Sequence, residues 1–66
     1  MSSRFYYGMR LRGFAPGCQP MDGFVLRCID RKEDRYHDIL CYERKLTDKE
    51  LNDYEMDFIE EVEYPE

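Results

Sequence analysis

Residues 46–51 read Leu-Thr-Asp-Lys-Glu-Leu, and this hexapeptide leaves the backbone little choice. Thr47 is placed to cap the first free amides of a helix, Glu50 to reach back to the cap's own N–H, and Leu46 and Leu51 flank the pair as a hydrophobic staple. A helix therefore starts at Asp48. Leu51, Tyr54, Phe58 and Val62 fall at helical spacing and support a helix to about Ile59, while Tyr54, Met56, Phe58 and Val62 fit an alternating pattern nearly as well. Asn52 and Asp53 are weak helix formers, so the alternative is a short helix to about Asp53 followed by a fourth strand. The tail from Glu60 to Glu66 is acidic and expected to fray.

Upstream of that start the pattern changes period. From Phe5 to Arg12 the residues alternate, with Phe5, Tyr7, Met9 and Leu11 on one face and Arg4, Tyr6, Gly8, Arg10 and Arg12 on the other, as in a half-buried strand. Residues 13–23 then bring three glycines and two prolines together. Pro16-Gly17 suits the central pair of a type II turn and Asp22-Gly23 marks a second turn, so a structured loop follows the first strand. Two further strands read Phe24 to Asp30 and Tyr36 to Tyr42, joined through Arg31-Lys32-Glu33-Asp34 as a hairpin. Pairing of 30 with 35 sets Arg27 opposite Asp38, on the face that carries Val25, Ile29, Tyr36, Leu40 and Tyr42. Phe24, Leu26, Cys28, His37, Ile39 and Cys41 fall on the other. Both faces are partly apolar, which predicts a hairpin that is central or covered on both sides.

The expected architecture is a single α+β domain over residues 1–66, a small antiparallel sheet of three or four strands with one helix packed on a face. A chain of this length buries only roughly 60% of its unfolded surface, which leaves little for an elaborate pocket. Yet 42% hydrophobic residues, with six Tyr and four Phe, supply more core material than a disordered chain carries. No apolar run approaches the roughly 18 residues of a membrane span, and no secretory signal is legible, so the expected setting is cytoplasmic, with Cys18, Cys28 and Cys41 as reduced thiols.

The net charge of −5 is unevenly placed. Residues 1–35 hold seven basic groups against four acidic, and residues 36–66 three against eleven. The two ends either neutralise each other across a sheet or form two oppositely charged surfaces.

Catalytic and metal chemistry find little support. Cys18, Cys28, His37 and Cys41 are zinc-ligand types, but no C-x2-C knuckle is present. With His37 and Cys41 on one strand their Cα atoms lie about 13 Å apart at roughly 3.3 Å per residue, too far to converge on one ion. Cys28 opposite His37 reads as a packed pair, since nothing marks an orienting group or oxyanion stabiliser. The carboxylates between Asp53 and Glu63 lack the glycine turn and spacing of a calcium loop. No phosphate loop, dinucleotide fingerprint or nucleophile elbow is present, and no cofactor is expected.

The run from Tyr6 to Phe14, continuing through Pro16-Gly17-Cys18-Gln19-Pro20, together with Tyr36-His37-Asp38-Ile39-Leu40 and the helix start at Leu46-Thr47, resembles short proteins of Gram-positive gut bacteria and their mobile elements. That resemblance implies a stand-alone bacterial accessory protein, and carries over no activity and no site residues.

The chain thus reads as a small non-enzymatic interaction protein. The expected contact surface is the 13–23 loop, through Phe14, Gln19 and Met21, with the neighbouring Arg4, Tyr6, Arg10 and Arg12. The partner is an unidentified protein or a second copy. One alternative is single-stranded nucleic acid held by the arginine and tyrosine face, and another is an acidic surface competing with nucleic acid for a protein. No membrane partner is expected.

Overall fold

The structure, a computed structural model, describes residues 2–31 and 33–65. Lys32 of the expected polar connection and Glu66 of the tail lie outside the described residues. Strand β1 (Ser2–Met9) is followed by the 10–23 loop, β2 (Phe24–Arg27), the 28–37 connection and β3 (Asp38–Tyr42). Helix α1 (Asp48–Tyr54) and strand β4 (Met56–Tyr64) complete the chain. The strands form one antiparallel sheet in the order β2-β3-β1-β4, so β1, bearing Arg4, lies inside the sheet and β2 and β4 form its edges.

The alternation of β1 sets the two faces. Tyr7 and Met9 point into the core with Leu40 and Tyr42 of β3 and Met56 of β4, closed from above by Leu46. Aromatic rings cross the sheet in strand order: Phe14 of the loop stacks on Phe24 at 5.4 Å, Phe24 meets Tyr42 edge-on at 5.6 Å, Tyr42 meets Tyr7 at 5.7 Å, and Tyr7 meets Phe58 at 5.5 Å. Edge-to-face contacts of this kind suit the ring quadrupole. The buried polar tips are satisfied: Tyr42 donates its hydroxyl to the Pro20 carbonyl at 2.6 Å, and the Tyr7 hydroxyl accepts the Leu46 N–H at 2.8 Å.

The loop folds as its glycines require. Cys18 donates its N–H to the Ala15 carbonyl across Pro16-Gly17, with Gly17 at φ +80, and Phe24 donates to Met21 across Asp22-Gly23, with Gly23 at φ +78. Both are type II turns, whose third position needs positive φ.

Several expected boundaries shift. The first strand ends at Met9 rather than Arg12 because its partner runs out: the Arg10 N–H still bonds the Glu55 carbonyl, but Glu55 is the left-handed residue that closes α1 and β4 begins only after it. The second ends at Arg27 and the third begins at Asp38, because Cys28 to His37 turn three times instead of forming a tight hairpin. Arg27 lies opposite Leu40, a register two residues from the expected one, yet its guanidinium still reaches Asp38 at 2.9 Å. A bulge between Phe24 and Leu26 turns Phe24 onto the core face beside Tyr42, whereas alternation alone places it with Leu26 and Cys41 on the opposite one. Of the paired strands, β3 is central and β2 is an exposed edge.

Helix α1 starts with the expected capping box at Thr47 and Glu50, but the reading to Ile59 is overturned. It stops at Tyr54, Glu55 turns left-handed at φ 56, and the chain returns as β4, so the acidic tail is a paired strand as far as Tyr64.

Candidate functional site

The face opposite the core is built by the second half of each alternation. Tyr6 and Gly8 of β1 lie beside Cys41 and Ile39 of β3, and Leu26 of β2 lies beside Cys41. On the far side a register shift between Tyr6 and Tyr7 accommodates an extra residue in β4, which brings Glu60, Val62 and Tyr64 onto this face.

Residues 28–31 and 33–37 cross one half of the face as a strap. Tyr36 lays its ring on the backbone of Gly8, where a Cβ would collide with it, and donates its hydroxyl to Asp57 at 3.3 Å. Arg31 reaches Glu60 on β4 and holds its guanidinium 5.2 Å from the centre of the Tyr6 ring. The other half is a shallow depression of about 490 Å³, lined by Leu26, Ile29, Val62 and Tyr64 together with the charged Arg27, Asp30, Arg31 and Glu60. A second hollow of about 370 Å³ shares Tyr6, Leu26 and Tyr64 and runs on to Arg4. Leu26 is 48% exposed, Ile29 68% and Tyr64 41%, so this is uncovered apolar surface rather than core.

Tyr6, Cys28 and Cys41 are held in their neutral forms. Tyr6 and Tyr64 share a hydroxyl–hydroxyl hydrogen bond of 2.8 Å, which together with burial raises the Tyr6 phenol above its ordinary value. Burial likewise pushes the Cys28 and Cys41 thiols up, so both stay protonated at neutral pH. Cys28 bonds through its N–H to the Ile39 carbonyl, which puts Ile39 rather than His37 opposite it; His37 is exposed elsewhere. Among the described residues no three His, Cys, Asp or Glu side chains are grouped to hold a metal ion, and no helix is long and apolar enough to cross a membrane.

The residues expected to form one contact surface are distributed over three places. Arg4 and Tyr6 lie on the open face. Arg10 and Arg12 lie past the opposite end of β1, at 3.3 Å from Asp57 and 3.4 Å from Glu55. Phe14 folds back onto Phe24, and Gln19 is 3% exposed, its Oε1 accepting the Ala15 N–H at 3.3 Å. Met21 alone of the loop trio projects outward, at 58% exposure. Leu26, Ile29, Arg31, Glu60, Val62 and Tyr64 were not singled out from the sequence. The alternation of Glu60, Val62 and Tyr64 was the available signal.

Comparison with known families finds one described as defence against restriction A C-terminal, whose model matches residues 2–61. No curated protein and no solved structure matches the chain.

Proposed function

This chain belongs to the defence against restriction A C-terminal family, and we propose that it is a non-enzymatic accessory protein that docks another protein, through its open sheet face, in protecting incoming DNA from restriction. The observation that carries this reading is the asymmetry of the sheet. One face holds the aromatic core, while the other leaves Leu26, Ile29 and Tyr64 in solvent around a hollow in which Tyr6 and Cys28 stay in their neutral forms. Apolar surface ringed by a few charges is the anatomy of a protein contact. Protonated thiols and hydrogen-bonded phenols supply neither a nucleophile nor a base.

The nucleic-acid alternative draws less support. Arg10 and Arg12 face carboxylates, and the Tyr6 ring on which a base would stack lies under Arg31. The mobile-element setting implied by the sequence resemblance fits a role against restriction, since DNA that moves between cells is what restriction attacks.

The test is protection of transferred DNA. Phage or plasmid DNA carrying the gene is delivered to a restricting host and to an otherwise identical non-restricting one. The gene is expected to raise recovery in the restricting host alone, and Leu26→Asp or Ile29→Asp, folded by circular dichroism, to abolish the gain. Equal recovery with and without the gene overturns the defence reading, and undiminished protection by both variants overturns the open face as the site.

A further inference from the structure

The longest strand of the protein is an edge. Strand β4 pairs with β1 along its inner side, and it is the outermost member of the sheet on its other side. Every second residue of an antiparallel edge turns its N–H and C=O away from the sheet, and an edge of this length is a template for another strand. Edges are commonly blunted by shortness, proline, lysine or a bulge. The edge β2 is blunted by its length of 4 residues, whereas β4 has 9 and carries a bulge and carboxylates, with Pro65 only past its end.

Those carboxylates discriminate between strands. Asp57 and Glu60 are drawn inward to Arg10 and Arg31, while Glu61 and Glu63 are exposed. A second copy of β4 would bring these acids against its own, which like-charge cross-strand pairing disfavours. The inner side already shows which strand β4 accepts. Its partner β1 belongs to a stretch, residues 1–21, with three arginines and no acid, and the pairing is finished by the Arg10–Asp57 and Arg12–Glu55 contacts.

We propose that the outer edge of β4 is a strand-addition site for a basic, extended segment of a partner protein. The segment extends the sheet antiparallel or parallel to β4 through backbone hydrogen bonds, and its Arg or Lys side chains meet Glu61 and Glu63 on one side of the sheet. This backbone edge borders the open face, to which β4 contributes Glu60, Val62 and Tyr64, but its hydrogen bonding is tested independently of the hollow.

The probe is a peptide matched to β4 in length, alternating arginine with valine and threonine. Its control has the same charge but carries prolines that remove backbone donors. Titration of the intact protein at low ionic strength is followed by fluorescence anisotropy, and amide hydrogen exchange maps the site. The alternating peptide is expected to bind at one per chain, to slow exchange in β4, and to weaken about tenfold in Glu61→Lys/Glu63→Lys, the scale of two reversed exposed charge pairs. Binding by Leu26→Asp should be unchanged. Equal binding of the proline control reduces the effect to bulk charge and overturns the proposal. Protection in β2 rather than β4, self-association of the protein across β4, or absence of binding overturns it equally. Should the doubly charge-reversed variant fail to fold by circular dichroism, the exchange map on the unaltered protein decides alone.

Discussion

Gly8 is the last residue but one of an interior strand, where a glycine ordinarily weakens pairing because it has no side chain to pack and more backbone freedom to lose. Here its bareness is what allows contact: the Tyr36 ring rests where a Cβ would be and anchors the strap through the bond to Asp57. Gly8→Ala should displace the ring and cost about 1–3 kcal/mol, the usual range for overpacking. Urea melts check it, with a control in the same series: in a Tyr36→Ala background the substitution should cost markedly less, because the obstructing ring is gone. Additive costs would show that Tyr36 is not the obstacle. Glu55 poses the reverse problem, a residue with a Cβ at φ 56. Its contact with Arg12 is at an exposed guanidinium and worth little. Comparing Glu55→Gly with Glu55→Ala separates backbone from side chain, since both lose the carboxylate and only glycine relaxes in the left-handed region. The glycine variant is expected to be the more stable by about 1 kcal/mol in thermal or urea melts; equal stability would place the cost elsewhere.

Helix α1 shows how a short element is held by its ends. It has 7 residues, too few to persist alone, and the capping box is tied to the rest of the protein by Arg44, which meets Glu50 through two nitrogens at 2.9 and 2.7 Å and the Asp22 carbonyl at 2.9 Å. The hydrogen bonds from Arg44, then the backbone amide of Thr47, hold the Glu50 carboxyl down to about 2, from an ordinary 4.5. A carboxyl lowered by folding stabilises the native state above its unfolded value and loses that contribution as pH falls toward the folded one. The stability gap between the protein and Glu50→Gln should therefore be constant above about pH 5 and close between about pH 4.5 and about pH 2. Denaturant midpoints across that range measure it, and a gap that persists undiminished at the acid end would assign the stability to something other than ionised Glu50. The start of this element was legible because Thr47, Glu50 and the two leucines each state the same local structure. Both type II turns were legible for a similar reason, since Gly17 and Gly23 occupy the positions that demand positive φ. The end of the helix was not. Glu55 adopts a conformation that sequence would assign to glycine or asparagine, and the bulge in β4 moves Val62 to the face opposite Phe58. With that extra residue, a strand imitates the three- and four-residue spacing of a helix. The open face was hidden by the same two bulges, for only after they are placed do Leu26, Val62 and Tyr64 fall together.

At the scale of the molecule, the two charged ends of the chain meet in the sheet, with Glu61 and Glu63 left exposed. The start of the chain forms β1, with Arg4 in it and Arg10 and Arg12 just past its end, and the acidic end forms β4; the two strands lie side by side in antiparallel register from Ser2 with Tyr64 to Met9 with Met56. Sequence could show that two oppositely charged ends existed, but not that they were neighbours, since that depends on a helix stopping early enough for the chain to return. The pairing carries weight beyond charge. Strand β4 places Met56 in the core and Phe58 against Tyr7, so removing it exposes the central strand and opens one side of the aromatic row. A chain ending at residue 55 should lack cooperative unfolding and native near-ultraviolet dichroism. A peptide of residues 56–66 added in trans should restore both, because the hydrogen-bonding edge and the apolar sites it fills remain on the longer fragment. Exposed charge pairs are screened within roughly 10 Å at 0.1 M salt, while apolar burial is not. Complementation should therefore weaken as salt rises from low ionic strength and then level off, where Met56 and Phe58 hold the peptide without help from the Arg10–Asp57 and Arg31–Glu60 pairs. A peptide with Met56 and Phe58 replaced by serine should fail at every salt concentration. If it restores the fold at low salt, charge rather than packing determines where the last strand docks.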